Sequence, residues 1–172
     1  YRLAPAFPYP AAIKDVKSAV RWLKSNGAEK VVLVGYSAGG TLALSAGLSR
    51  DTQVAAIVSV AAAADLDSWA ASVAFPQAKV DVANYLNGAS SREASPLFAV
   101  RSGAPPVFLF HGDDDQLVPI AQSVMMAEKL KAEKVPVLFR VVSKAGHEVV
   151  LTPKHVKSVL KDLTPFLFGL DR

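Results

Sequence analysis

Three residue types, in an order that supports covalent chemistry, stand out in the chain: a serine at Ser37, a run of three aspartates at Asp113, Asp114 and Asp115, and a histidine at His147. A serine hydroxyl is a poor nucleophile until a base takes its proton, and a neutral imidazole is the usual base. A carboxylate on the far ring nitrogen fixes the tautomer and stabilises the imidazolium that forms. Together such groups perform acyl transfer through a covalent intermediate. Ser37 sits in Gly35-Tyr36-Ser37-Ala38-Gly39, between the apolar run Val31-Val32-Leu33-Val34 and the helix-forming run Leu42-Ala43-Leu44-Ser45-Ala46. A Gly-x-Ser-x-Gly string alone is often a plain turn. Between a strand and a helix it reads as a nucleophile elbow, a sharp strained turn that exposes the serine. Gly35 and Gly39 are expected to flank Ser37 where a Cβ would clash with the neighbouring chain. The helix that follows aims its free N–H groups at the reaction centre, and the Ala38 amide is the one expected to donate to a developing oxyanion.

The elements that must hold these groups follow from periodicity. The apolar run before Gly35 has no polar interruption and predicts a strand buried on both faces. Before it, Ile13, Val16, Val20 and Leu23 recur at helical spacing and Asn26-Gly27 supplies a stop, predicting a helix over 11–25. Largely apolar runs predict further strands over 54–60, 105–112 and 137–142. Helices are predicted over 121–132, amphipathic on Val124, Ala127 and Leu130, and over 153–167. Residues 65–99 break the pattern, with Trp69, Phe75, Pro76 and Tyr85 among small and polar residues and a turn at Asn87-Gly88. They are expected to form short helices over the site, as a small lid-like insertion. Strands alternating with helices imply a parallel, doubly wound sheet, whose sites form at the carboxyl ends of the strands. That rule selects the elbow, the loop 113–115 and the loop 146–148.

Composition narrows the function classes. With 172 residues, 51% hydrophobic content and a mean hydropathy of +0.27, the chain suits one globular domain. The net charge is +4, but the lysines and arginines alternate with acids and apolar residues along helices, as on solvated faces, so nucleic-acid binding is not expected. There is no cysteine, which removes disulfides and a thiol nucleophile, and three scattered histidines leave neither a metal site nor a cofactor expected. No apolar run reaches the roughly 20 residues a membrane span requires. The chain is expected to be soluble, with the cytoplasm the favoured compartment.

Several motifs together resemble a known family. His111-Gly112-Asp113-Asp114-Asp115-Gln116-Leu117-Val118-Pro119 resembles the His-Gly-x-x-Asp-x-x-Val-Pro motif of α/β-hydrolases, and Ser…Asp…His is the chain order of that architecture. The resemblance assigns the triad acid to Asp115. Tyr1-Arg2-Leu3-Ala4-Pro5, then Phe7-Pro8-Tyr9-Pro10-Ala11-Ala12 and Asp15, resemble a stretch of the hormone-sensitive-lipase-like and related bacterial esterases. Ala94-Ser95-Pro96 is similar to a stretch found there and in prolyl-oligopeptidase-like hydrolases. Ala6 stands where that group usually has Glu, and Tyr36 where many members have Asp. The resemblance implies a three-layer α/β-hydrolase fold, with about four parallel strands present and helices on both faces. It implies a serine ester hydrolase, with Ser37, His147 and Asp115 as triad and the Ala38 amide as oxyanion donor; a pocket lined by Trp69, Phe75 and Tyr85 would be apolar and modest, which favours short-acyl esters.

Nothing in the chain matches the upstream His-Gly-Gly-type loop that supplies further oxyanion donors in these esterases. A chain without it is expected to be a weak catalyst, since one lost donor costs about 100- to 1000-fold in rate. The chain starts at Tyr1 and is expected to be N-terminally incomplete, leaving the elbow strand as a bare sheet edge. Such an edge invites pairing with a second copy or with a separately supplied N-terminal segment. The alternatives are a prolyl-oligopeptidase-like serine peptidase, or a catalytically weak remnant that binds a ligand or partner. His111 is read as a brace for the acid loop and His155 as a solvated helix residue. Glu148 is read as facing water, Arg2 and Asp15 as a surface bridge, and Trp69, Phe75 and Tyr85 as packing of the insertion.

Overall fold

The computed structural model describes residues 1–72, 75–148 and 152–169. Four strands form one parallel sheet in the order β1 (Val32–Tyr36), β2 (Ala56–Val60), β3 (Val107–Gly112), β4 (Val137–Val142). All residues of β2 and β3 are buried, the polar Ser59 and His111 included, as their largely apolar sequences predict.

Side chains alternate between the two faces of each strand, so every strand feeds two cores. Leu33, Ile57, Leu109 and Phe139 pack with Leu44 of α2 (Ala38–Gly47), with Leu48 just after it, and with Met126 and Leu130 of α6 (Ala121–Ala132). Val32, Val58, Phe108 and Leu138 face the other way, onto Val159, Leu163 and Phe166 of α7 (Pro153–Phe168). Helix α1 (Ala11–Ser25) joins the first face through Ala12 and Ile13 against Leu42 and Ala46. The connecting helices α2 and α6 thus lie on one side of the sheet with α1, and among the described residues only α7, after the last strand, packs on the other. The expected α/β-hydrolase-type sheet with helices on both faces is what the chain forms.

Residues 65–99 form α3 (Leu66–Ala70), α4 (Gln77–Leu86), α5 (Ser91–Ala94) and a 3-10 turn (Pro96–Ala99). Asp65 caps α3 by accepting from the Asp67 amide, and Asn87 ends α4 in the left-handed conformation before Gly88.

Two packing expectations are corrected. β1 is not buried on both faces, since Val34 is 66% exposed, while its place at the sheet edge is the expected one. Val31 O accepts from Ala55 N and Ser37 N donates to Val60 O, so the odd-numbered residues turn their backbone groups to β2. The amides and carbonyls of Val32, Val34 and Tyr36 therefore point outward, with no partner among the described residues. In α6 the buried stripe is Gln122, Ser123, Met126, Ala127 and Leu130, whereas Val124 is exposed. Gln122 turns inward because its Oε1 accepts from the amides of Ala64 and Asp65, at 2.9 Å each. Hydrogen bonding, which hydrophobic periodicity does not register, set the rotation of this helix.

Candidate active site

The elbow is built from a strained residue and two close approaches. Ser37 has φ 54° and ψ −124°, a conformation that costs energy in any residue with a Cβ. It joins β1 directly to α2 and projects its side chain at the carboxyl end of the sheet. A Cβ on Gly35 would lie 2.0 Å from the carbonyl oxygen of Gly39, because the first turn of α2 lies on the strand end. The expectation for Gly39 is corrected. A Cβ there would meet nothing within 4 Å, and the second tight position is Gly40, 2.8 Å from the Ala62 Cβ. The amide of Ala38, in the first turn of α2, has no acceptor among the described residues and borders the same cavity as Ser37.

The acid loop follows β3. Asp115 is buried and accepts at Oδ1 from the amides of Leu117 and Val118, both at 2.9 Å. Its Oδ2 faces two imidazoles: His147 Nδ1 at 2.7 Å and His111 Nε2 at 3.1 Å. Burial pushes the Asp115 carboxyl up, but the hydrogen bonds from His111, His147 and the Val118 amide outweigh it and hold the group well below the usual carboxylate range. An ionised carboxylate can only accept, so His147 Nδ1 carries the proton. Its Nε2 is left to accept from the Ser37 hydroxyl, 2.9 Å away.

The base loop follows β4 and is tied to the acid loop by its backbone. The Asp114 amide donates to Ala145 O at 3.1 Å, and the Lys144 amide donates to Asp113 Oδ1. A Cβ on Gly112 would lie 2.0 Å from Ala145 O, so the loops meet at a position only glycine fits. From the elbow, Tyr36 Oη donates to the carbonyl of His147 at 3.0 Å, and its ring lies 5.1 Å from the imidazole. Asp113 and Asp114, adjacent to Asp115, thus face the base loop and Gln116 instead of the imidazole. Glu148 is exposed, as expected, and His155 is half-buried on α7 with Nδ1 2.7 Å from Thr152 Oγ1.

Ser37 and His147 open onto a cavity of about 460 Å³. Its walls are mainly apolar, with Leu66, Trp69, Phe75, Val82 and Tyr85 from the insertion facing Leu3 and Phe7 from the start of the chain. Trp69 Nε1 donates to Leu117 O at 2.9 Å, which fastens the insertion to the acid loop. Trp69, Phe75 and Tyr85 therefore line the cavity as well as packing the insertion. The first residues are held by the Arg2–Asp15 pair at 2.7 Å and by Tyr9 N donating to Tyr85 O. Sequence reasoning did not assign Tyr36, Leu3 or Phe7 to the site. Tyr36 carried a signal, as the residue that departs from the family pattern beside the serine. Among the described residues no cluster of three metal-ligating side chains occurs, and no helix is long and apolar enough to cross a membrane.

Residues 1–130 match the BD-FAE family. The chain belongs to that family. The match takes in Ser37 and Asp115 and stops short of His147. As a BD-FAE chain it also resembles the esterase LipC of Mycobacterium tuberculosis, with 31% identity over 158 residues covering 77% of this chain and 39% of LipC. A solved esterase/lipase from an uncultured bacterium superposes with a TM-score of 0.83 at 30% identity, over 99% of this chain and 64% of its own. EstE5, in a crystal soaked with p-nitrophenyl butyrate, superposes with a TM-score of 0.84 at 30% identity, again over 99% and 64%. The BD-FAE chain thus spans less than two thirds of each of these relatives. The resemblance to hormone-sensitive-lipase-like bacterial esterases is borne out by these matches.

Proposed function

We propose that this chain is a serine carboxylic-ester hydrolase acting on short-acyl esters. The observation that carries the reading is the hydrogen-bonded line from Asp115 through His147 to Ser37, set at the mouth of an apolar cavity. Ser37 Oγ attacks the ester carbonyl carbon while His147 Nε2 takes the hydroxyl proton. Asp115 stabilises the imidazolium, and the Ala38 amide donates to the carbonyl oxygen as it becomes an oxyanion. When the intermediate collapses, the C–O bond to the alcohol breaks and His147 gives that alcohol its proton. Water, deprotonated by His147, then attacks the acyl carbon; the bond from that carbon to Ser37 Oγ breaks, His147 returns the proton to Oγ, and the carboxylic acid leaves.

Three further points belong to the same reading. A cavity of about 460 Å³ shared between the acyl and alcohol parts favours a short acyl chain. With Ala38 as the one oxyanion donor assigned, turnover is expected to fall about 100- to 1000-fold below that of a site with one more. Residues 65–99 act as a lid-like insertion, and the open edge of β1 pairs with a further strand, from a second copy or from a separate segment. Light scattering that finds a monomer at high protein concentration would count against the second copy.

The test is intact mass after treatment with a fluorophosphonate, on the chain and on Ser37→Ala, followed by a p-nitrophenyl ester series. Labelling that disappears in Ser37→Ala, with rates highest on acetate and butyrate, supports the reading. A folded chain that takes no label would shift the assignment to a binding domain, and cleavage of proline-containing peptides would shift it to a peptidase.

A further inference from the structure

His111 is fully buried, yet the chemistry above does not require it. Its Nε2 lies 2.8 Å from the carbonyl oxygen of Val118 and 3.1 Å from Asp115 Oδ2, and its Nδ1 lies 2.7 Å from Ser123 Oγ. A carbonyl oxygen only accepts, so Nε2 must carry a proton whatever sits on Nδ1. That proton is divided between Val118 O and the carboxylate oxygen that also receives His147 Nδ1–H. The other oxygen, Oδ1, is anchored by two backbone amides, so the place of the carboxylate does not depend on His111. What depends on His111 is how much of the charge on Oδ2 is left for His147.

We propose that His111 is a positioning residue that acts through Asp115: its Nε2–H, with the ring fixed by Ser123 and Val118, shares Oδ2 with His147 and so limits the carboxylate's pull on the His147 proton. The inference rests on the reading of Ser37, His147 and Asp115 as the reacting groups. A dispersed negative charge makes Asp115 a weaker partner for the imidazolium, which leaves His147 readier to pass its proton on to the leaving alcohol. Ser123, on α6, holds the ring so that this N–H cannot turn away.

The other ionisable groups around the pair are Asp113 and Asp114 on the acid loop, Lys144 and Glu148 on the base loop, and Tyr36 at the end of β1. Arg2, paired with Asp15, and Asp81 lie on the wall of the same cavity. None of them is altered in the variants chosen. The test follows the low-field NMR resonance of the His147 Nδ1 proton in the folded chain, a readout that needs no turnover. In His111→Phe, which keeps a ring but loses the donor, the resonance moves downfield because Oδ2 is no longer shared. His111→Gln, whose amide can replace the Nε2 donor, restores it toward the wild-type position. Ser123→Ala moves it downfield by less, and serves if the Phe variant does not fold. The acidic midpoint of the fluorophosphonate labelling rate rises in parallel, by about half a pH unit to one unit in His111→Phe. A resonance unmoved, or moved upfield, in both His111→Phe and Ser123→Ala overturns the proposal and leaves His111 a packing residue. Labelling that survives Ser37→Ala overturns the triad reading instead, a result the NMR shifts do not produce.

Discussion

The Tyr36 hydroxyl donates to the carbonyl oxygen of His147 at 3.0 Å, so the residue before the candidate nucleophile holds the backbone of the candidate base, 111 residues further along the chain. The Ser37–His147 distance is thereby set from both sides of the elbow. Tyr36→Phe removes this one bond and keeps the ring against the imidazole. A net hydrogen bond of about 1 kcal/mol corresponds to a loss of about fivefold in kcat, with KM little changed. Steady-state kinetics on p-nitrophenyl acetate checks it, and a change confined to KM would place Tyr36 in substrate binding.

The glycines around the site separate sharply. Gly35→Ala drives a methyl to 2.0 Å from Gly39 O, a backbone atom that cannot rotate aside, and is expected to destabilise the fold by about 3 kcal/mol. Gly39→Ala meets nothing within 4 Å and sits inside α2, so it is expected to be neutral or stabilising by about 0.5 kcal/mol. Urea unfolding of the two variants tests the contrast. Equal destabilisation would contradict it.

Gly112→Ala probes the meeting of the two loops. The added methyl would lie 2.0 Å from Ala145 O and must push the base loop away from the acid loop. The expected result is a loss of about 100-fold or more in fluorophosphonate labelling, because a displacement of about 1 Å breaks the His147–Ser37 alignment. Labelling at the wild-type rate by a folded variant would show that the base loop finds its position without this contact.

Acid stability follows from Asp115. Its carboxyl lies below the usual range in the fold, while the unfolded chain titrates it near about 4. Between those values the unfolded state binds more protons, so stability rises with pH across that window. The contribution is fully present above about pH 5 and is lost as pH falls through the folded value. Urea midpoints of wild type should therefore fall more steeply between about pH 5 and 2.5 than those of Asp115→Asn. Parallel slopes would assign the acid sensitivity to other carboxyls.

The cavity wall predicts substrate length. Phe75 stacks on Trp69 with ring centroids 6.4 Å apart and borders the space beside Ser37. Phe75→Ala enlarges that space without touching the hydrogen bond from Trp69 to Leu117. Relative kcat/KM for octanoate over butyrate esters should rise about threefold or more. An unchanged ratio would place the acyl chain elsewhere.

Residue order and local pattern were enough for much of this. The run before Gly35, the Gly-x-Ser-x-Gly turn and the apolar runs at 56–60 and 107–112 carry their own secondary structure. A run that is almost wholly apolar marks a strand inside a sheet, and a strand-to-helix turn that tight needs Gly35. The motif around Asp115 singled out one of three adjacent aspartates by resemblance alone; the geometric reason, two backbone amides on Oδ1 and two imidazoles on Oδ2, appears only when β3, β4 and α6 are packed. Tertiary structure alone decided that the Val34 side chain is exposed, because how far the helices cover a sheet face is a property of the packing and not of the strand. It alone brought Tyr36 to His147, Ser123 to His111, and Leu3 and Phe7 to the cavity opposite Trp69. Such contacts join residues 12 to 111 positions apart, or set the rotation of a helix through a buried hydrogen bond, and neither leaves a periodic trace along the chain.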